Sequence, residues 1–259
     1  MVKILVFDTE TTGLPNTGST WAQREETQKK LFIKSDNGLF PMWDNVLESW
    51  PHILQLSYIL YDTDTHKSTN YNKYIELDDD VEIDPESYAI HKISKEDVRK
   101  LPQKQKTRIN KAIMYFIRSV KKSDIVVGHN VTFDRLMIIS EMLNNPNSYV
   151  EDIHEMMNEN KFACTMEIMK PVCNICKVIE YKDKKTNEQK SFTTIKTPSL
   201  LESYKHLFGY SPTDLHNSLY DSVVCLRVYC KQLYNIDVYD TNHSIKQLII
   251  MITPSDNTK

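Results

Sequence analysis

Residues 2 to 7, VKILVF, are almost wholly apolar with little alternation, the pattern of a strand buried on both faces inside a sheet. Strand character returns in HILQLSYILYD, His52 to Asp62, and in NYNKYIEL, Asn70 to Leu77, where tyrosines alternate. The period then becomes helical. Ile109, Ala112, Ile113, Phe116, Ile117 and Val120 form one stripe. Ser94 and Asp97, spaced as a capping box, stand ahead of it. A short buried strand, DIVVG from Asp124 to Gly128, precedes a helix over Val131 to Leu143 that runs through Thr132, Leu136, Ile139 and Leu143. Ser199 and Glu202 form a second capping box, on a helix stopped by Gly209. The last clear helix begins near Leu215 and carries Leu219, Ser222, Val223, Leu226, Cys230 and Leu233 at helical spacing. Strands, helix, strand, helix and further helices is the order of a mixed α/β sheet.

Two stretches break the pattern. Asn16 to Trp50 is polar and irregular and holds all three tryptophans, Trp21, Trp43 and Trp50, so it reads as an insertion between the first two strands. Residues 182 to 190, KDKKTNEQK, read as a charged surface loop; Lys182, Lys184, Lys185 and Lys190 could touch a phosphate backbone, but a solvated loop is the usual meaning of such a run.

With 259 residues, 40% of them hydrophobic, the chain suits one large domain with its own core. Five cysteines, an odd number among polar neighbours, point to a reducing compartment. The N-terminal apolar run is too short for a signal peptide, and no stretch approaches the roughly 18 apolar residues of a membrane span. The expectation is an intracellular protein, cytoplasmic or nuclear, without a membrane partner. A net charge of -3 excludes a uniformly basic shell, so any contact with nucleic acid must be local.

The candidate chemistry starts at the end of the first strand, where Asp8 and Glu10 project from one face with Thr9 opposite. A lone D-x-E is explained as well by solvated acids past the sheet edge, or by pairing with a lysine or arginine, as by a site. Asp134, in GHNVTFD, falls in the first turn of a helix, where the dipole alone accounts for a carboxylate. Asp221, in LHNSLYDSV, comes five residues after His216, about 140° round a helix, so the histidine must act from the loop or first turn. Taken singly, His216 is an ordinary capping or solvated histidine. Together, four acids and a histidine at the ends of core elements suit hard divalent cations and metal-assisted phosphodiester hydrolysis. A histidine that titrates near neutrality is a suitable base for the attacking water.

FDTETTGL, GHNVTFD and HNSLYD, in this order, resemble the three exonuclease motifs of the DEDDh family of DnaQ-like 3′-to-5′ exonucleases. YAIHKISKEDV and FACTMEIMK resemble the family's stretches before its middle helix and after its second motif. The resemblance covers about residues 1 to 234, an exonuclease domain with the 16 to 50 insertion, and leaves 235 to 259 as a C-terminal tail. It implies a ribonuclease H-like three-layer α/β fold, with a five-stranded mixed sheet in the order 3-2-1-4-5 and helices on both faces. Asp8, Glu10 and Asp221 would hold the nucleophile-side metal, Asp8 and Asp134 the leaving-group metal, and His216 would be the general base. Thr11 would contact the terminal 3′-hydroxyl and Leu14 would wedge against the last bases, with Asn130 and Phe133 lining the same pocket. The implied cofactor is Mg2+, two ions, with Mn2+ as a substitute. The implied partner is the 3′ end of single-stranded DNA or RNA, cut to nucleoside 5′-monophosphates. A DNA polymerase is a further implied partner, since the family includes proofreading subunits, and the roles in view are proofreading or nucleic-acid turnover. The rival reading is a non-catalytic module on the same fold that binds nucleic acid or protein.

Other features carry less. Cys173-Asn-Ile-Cys176, with Cys164 and His154 upstream, has a zinc-ligand spacing, but no second close pair follows. His129 reads as a hydrogen-bonded turn residue. The tryptophans of the insertion either stack on unpaired bases or bury a local mini-core.

Overall fold

The computed structural model describes residues 2–15, 32–35, 38–41, 50–144, 146–182 and 187–254. Its strands are β1 (Lys3–Thr11), β2 (Phe32–Ser35), β3 (Gly38–Pro41), β4 (Ile53–Asp62), β5 (Ser68–Ile75), β6 (Lys106–Thr107), β7 (Ile125–Gly128), β8 (Phe162–Cys164), β9 (Cys176–Lys182) and β10 (Gln189–Ile195). Its α-helices are α1 (Pro85–His91), α2 (Lys95–Lys100), α3 (Ile109–Lys122), α4 (Val131–Leu143), α5 (Pro146–Met157), α6 (Thr165–Cys173), α7 (Leu200–Phe208), α8 (Ser218–Tyr234), α9 (Val238–Thr241) and α10 (His243–Met251).

The main sheet has the order β6-β5-β4-β1-β7-β8, with β1 antiparallel to β4 and parallel to β7. Without β6 the order is the expected 3-2-1-4-5. The sixth strand is a correction to the five-stranded expectation. It is two residues long and exists through its pairing with β5, which no pattern along residues 106 to 107 announces.

The poor alternation of β1 has its cause in two cores, one on each face of the sheet. Leu5 and Phe7 pack with Ala112, Ile113, Phe116 and Ile117 of α3 and with Leu136 to Ile139 of α4. Ile4 and Val6 pack with Val223, Leu226 and Tyr229 of α8 and with Val238, Ile245 and Ile249 of the last two helices. Residues 238 to 249 thus lie in the same core as β1. Arg227 ties them down: its Nε and Nη2 each reach an Asp237 carboxylate oxygen at 2.8 Å, while Nη1 donates to the hydroxyls of Tyr204 and Tyr210. Such a two-pronged pair holds direction as well as distance.

Of the two capping boxes, the one at Ser199 is complete: Ser199 Oγ accepts from the Glu202 N–H at 3.1 Å, and the Ser199 N–H donates to the Glu202 carboxylate at 2.8 Å. At Ser94 the Asp97 side chain returns to the serine hydroxyl instead of to the backbone. Ser199→Ala should therefore lower stability by about 1 kcal/mol, seen as a lower urea midpoint at unchanged slope. An unmoved midpoint would show that α7 is held by packing alone.

Trp50 is buried in the first core, while Trp21 and Trp43 lie outside the described residues, as do Lys184 and Lys185. The expected loop over 182 to 190 is in part strand, since β9 and β10 pair as a ribbon that encloses it.

Candidate active site

Strand alternation decides where each acid points. Asp8 and Glu10 continue the face of Ile4 and Val6, toward α8, and lie opposite Ser57 and Gln55 of β4. Beyond them a bulge between Glu10 and Thr11 turns the chain out of the sheet. On α8 the small residues Ser218, Ser222 and Cys225 are buried beside Asp221, and this lets the helix approach β1. Carboxylate oxygens of Asp8, Glu10 and Asp221 come within 4.8 Å of one another, the one such metal-ready group among the described residues. The zinc spacing at Cys173 and Cys176 forms none, and Cys176 is exposed.

Asp134 comes from α4, on the other face of β1, and is not one of that trio. Thr9, on the opposite face of β1, holds it: the Thr9 N–H and hydroxyl both donate to Asp134 Oδ1, at 3.0 and 2.7 Å. Its charge still reaches the trio. Burial, then Asp134, Asp221 and Glu10 in that order, push the Asp8 carboxyl well above its ordinary range. Burial and the charges of Asp221 and Asp134 raise Glu10 to about 8. Burial likewise raises Asp134 to about 7 against the bonds from Thr9, and Asp221 to about 7 against the backbone bonds from His216 and Asn217. Among the described residues no lysine or arginine forms an ion pair with any of the four.

Each carboxyl therefore binds its proton more tightly folded than unfolded, where such groups titrate near 3.8 and 4.5. The stability this confers is complete at low pH and is lost as pH rises through about 7 to 8. Metal-free protein should accordingly show a falling Tm from about pH 5 to about pH 8.5, with magnesium restoring most of the loss at the upper end. A Tm that rises over this range and ignores magnesium would mean that a cation of the protein already balances the acids.

His216 lies in the loop before α8, exposed and in the left-handed region at φ 72°. Its N–H donates to Asp221 Oδ2 at 2.9 Å, so one carboxylate both joins the acid cluster and shapes the loop that carries the imidazole. Leu14 is 77% exposed just past the bulge. Thr11 is buried, and its hydroxyl donates to the Gly13 carbonyl at 2.7 Å. Asn130 is exposed, with φ 64° ahead of α4, and Phe133 leans on the first core. His129 is a neutral turn residue: burial lowers it to about 4, Nε2 donates to the Pro198 carbonyl, and Nδ1 meets the Thr165 hydroxyl at 3.0 Å.

Three supporting residues carry no site role that the sequence alone assigns. Thr9 reads there only as the residue facing away from the two acids. Gln55, fully buried opposite Glu10, accepts from the Ser218 N–H and donates to Asn72 and Asn217, so it anchors the start of α8 to β4. A glutamine inside the otherwise apolar HILQLSYIL was a readable signal. His91 is buried near Thr11 and His216, and its Nδ1 accepts from the Ile93 N–H at 2.9 Å.

A family model described as "RNase_T: Exonuclease" matches residues 5–229 of the chain. No curated protein matches significantly. Among solved structures, a moderately thermophilic exonuclease I from Methylocaldum szegediense aligns with a TM-score of 0.52 at 12% identity, over 93% of this chain and 42% of that one. A 3′-exonuclease described by its 3′-end-specific recognition of histone mRNA stem-loop aligns with a TM-score of 0.50 at 9% identity, over 91% of this chain and 65% of that one. This chain thus spans less than two thirds of either neighbour, and at such identities the likeness is one of fold.

Proposed function

Given that the chain belongs to the exonuclease family whose model spans residues 5–229, we propose that it hydrolyses single-stranded nucleic acid from the 3′ end, releasing nucleoside 5′-monophosphates. The observation that carries this reading is the trio of Asp8, Glu10 and Asp221 with Asp134 beside Asp8 across β1, each with a raised carboxyl and none paired with a lysine or arginine among the described residues. Ionising all four together is costly without a counter-charge, so the arrangement suits something positive.

An all-carboxylate set of this kind fits Mg2+, which takes oxygen ligands and keeps waters and substrate phosphate, with Mn2+ as a substitute. Asp8, Glu10 and Asp221 would hold one ion, and Asp8 with Asp134 a second. When bound, the ions neutralise the acids and stabilise charge on the phosphoryl oxygens.

The remaining work falls to the chain itself. Thr9 fixes Asp134 by two bonds, so that the two sides of β1 act as one site. Gln55 and Asp221 hold the start of α8 and the loop before it, which carries His216, the residue that would take a proton from the attacking water. The bulge after Glu10 leaves Leu14 in solvent, where it wedges against the terminal base, and Thr11, Asn130 and Phe133 line the seat of the 3′ end.

The test is purified protein with magnesium and a set of DNA and RNA oligonucleotides labelled at the 3′ or the 5′ end. Immediate release of labelled mononucleotide from the 3′ label, with a descending ladder from the 5′ label, is the expected result. No release with either magnesium or manganese would leave a non-catalytic binding module, and internal cutting would overturn the direction.

A further inference from the structure

Between Asn174, which caps α6, and Ser199, which caps α7, the chain leaves the core as an antiparallel ribbon, β9 on β10. Outside its own two strands, this ribbon makes no extensive contact with another described element. A two-stranded hairpin is marginal in water. This one nevertheless keeps Tyr181 44% and Phe192 50% exposed, their rings 5.9 Å apart edge to face.

The register sorts the two faces. Ile179 pairs with Phe192, Tyr181 with Lys190, and Lys177 with Thr194, and cross-strand partners share a face. Among the described residues of the ribbon, one face therefore joins two aromatic rings to two lysines without an acid, whereas Glu180 projects from the other. The charge of the segment runs against that of the chain: residues 176 to 196 hold six lysines and three acids in a protein of net charge -3. Aromatic rings set between lysines suit a strand of unpaired bases on a phosphate backbone. An apolar protein surface would gain nothing from the lysines.

The chain that leaves the ribbon returns toward the helix that carries Asp134. The return strand β10 leads to Pro198, whose carbonyl is bonded to His129 at 3.1 Å, and His129 adjoins Asn130 at the head of that helix. We propose that this face of β9–β10 binds the single-stranded stretch upstream of the 3′ end, with Tyr181 and Phe192 stacking on bases and Lys177 and Lys190 against phosphates. The inference rests on the 3′-to-5′ reading for the direction of the strand.

The test compares full-length protein with its Tyr181→Ala/Phe192→Ala and Lys177→Glu/Lys190→Glu forms, on oligonucleotides of about 3 and about 20 nucleotides. Both pairs lie on the protruding ribbon, and unchanged thermal unfolding would show that the core is intact. The advantage in kcat/KM of the long substrate over the short one should fall at least about fivefold, roughly the loss of one stacked base. An unchanged ratio would overturn the proposal. Fluorescence anisotropy with a labelled 20-mer, in calcium to prevent hydrolysis, separates this outcome from failure of the enzyme reading. Weaker binding by both forms supports the ribbon even if no turnover is found. Equal binding by all three proteins refutes it, and equal binding joined to loss of self-association would make the face an interface between copies of the chain.

Discussion

Asp8→Asn should lower turnover by at least about a thousandfold, the rate equivalent of roughly 4 kcal/mol of charge stabilisation at the phosphoryl group. Asp8 sits where the two groups of acids meet, since it shares the trio with Glu10 and Asp221 and is raised most by Asp134 among its charged neighbours. Its replacement therefore touches both halves of the site. Asparagine keeps the volume and removes one charge from a repulsive cluster, so metal-free stability should be unchanged or higher. The thermal gain on adding magnesium should shrink, because the ion has lost a ligand present only in the folded state. A large drop in metal-free stability would argue that Asp8 is half of a structural ion pair. Turnover near wild type would remove it from the chemistry.

His216→Ala should lower kcat by about 10²- to 10⁴-fold, the span of a lost general base, with little change in KM. The imidazole is exposed and hangs on a loop whose hydrogen bond to Asp221 comes from the backbone, so truncation leaves the acid cluster and its bond from the loop in place. The thermal gain with magnesium should accordingly persist, unlike that of Asp8→Asn. Loss of both turnover and the magnesium response would point to a structural role for the loop. A loss below about fivefold would move the base elsewhere. His91, buried beside His216, would then be the first imidazole to replace.

The legibility of the fold followed burial. β1, β4 and β7 sit between the two cores, and their near-continuous apolar runs announce strands whatever surrounds them. The complete capping box at Ser199 was readable for the same local reason, because a helix start is satisfied by residues three apart. β9 and β10 were not readable as strands. Both of their faces are largely exposed, so no apolar alternation marks them, and a lysine-rich connection looks like any solvated loop. β6 is shorter than any period and is created by its neighbour β5.

The same division runs through the site. By itself the sequence determined which groups are present, Asp8, Glu10, Asp134, Asp221 and His216, and that Asp8 and Glu10 share a face, because a strand's period of two is set by its backbone. It determined too that no global basic charge would hold a polyanion. Only the tertiary structure decided that Asp221 joins Asp8 and Glu10 while Asp134 stands across β1 on the two bonds of Thr9. It alone seated Gln55 under the start of α8 and raised the acids' affinity for protons. The reason is physical: repulsion and desolvation depend on distances and burial between residues over a hundred positions apart, which folding creates and no local pattern encodes.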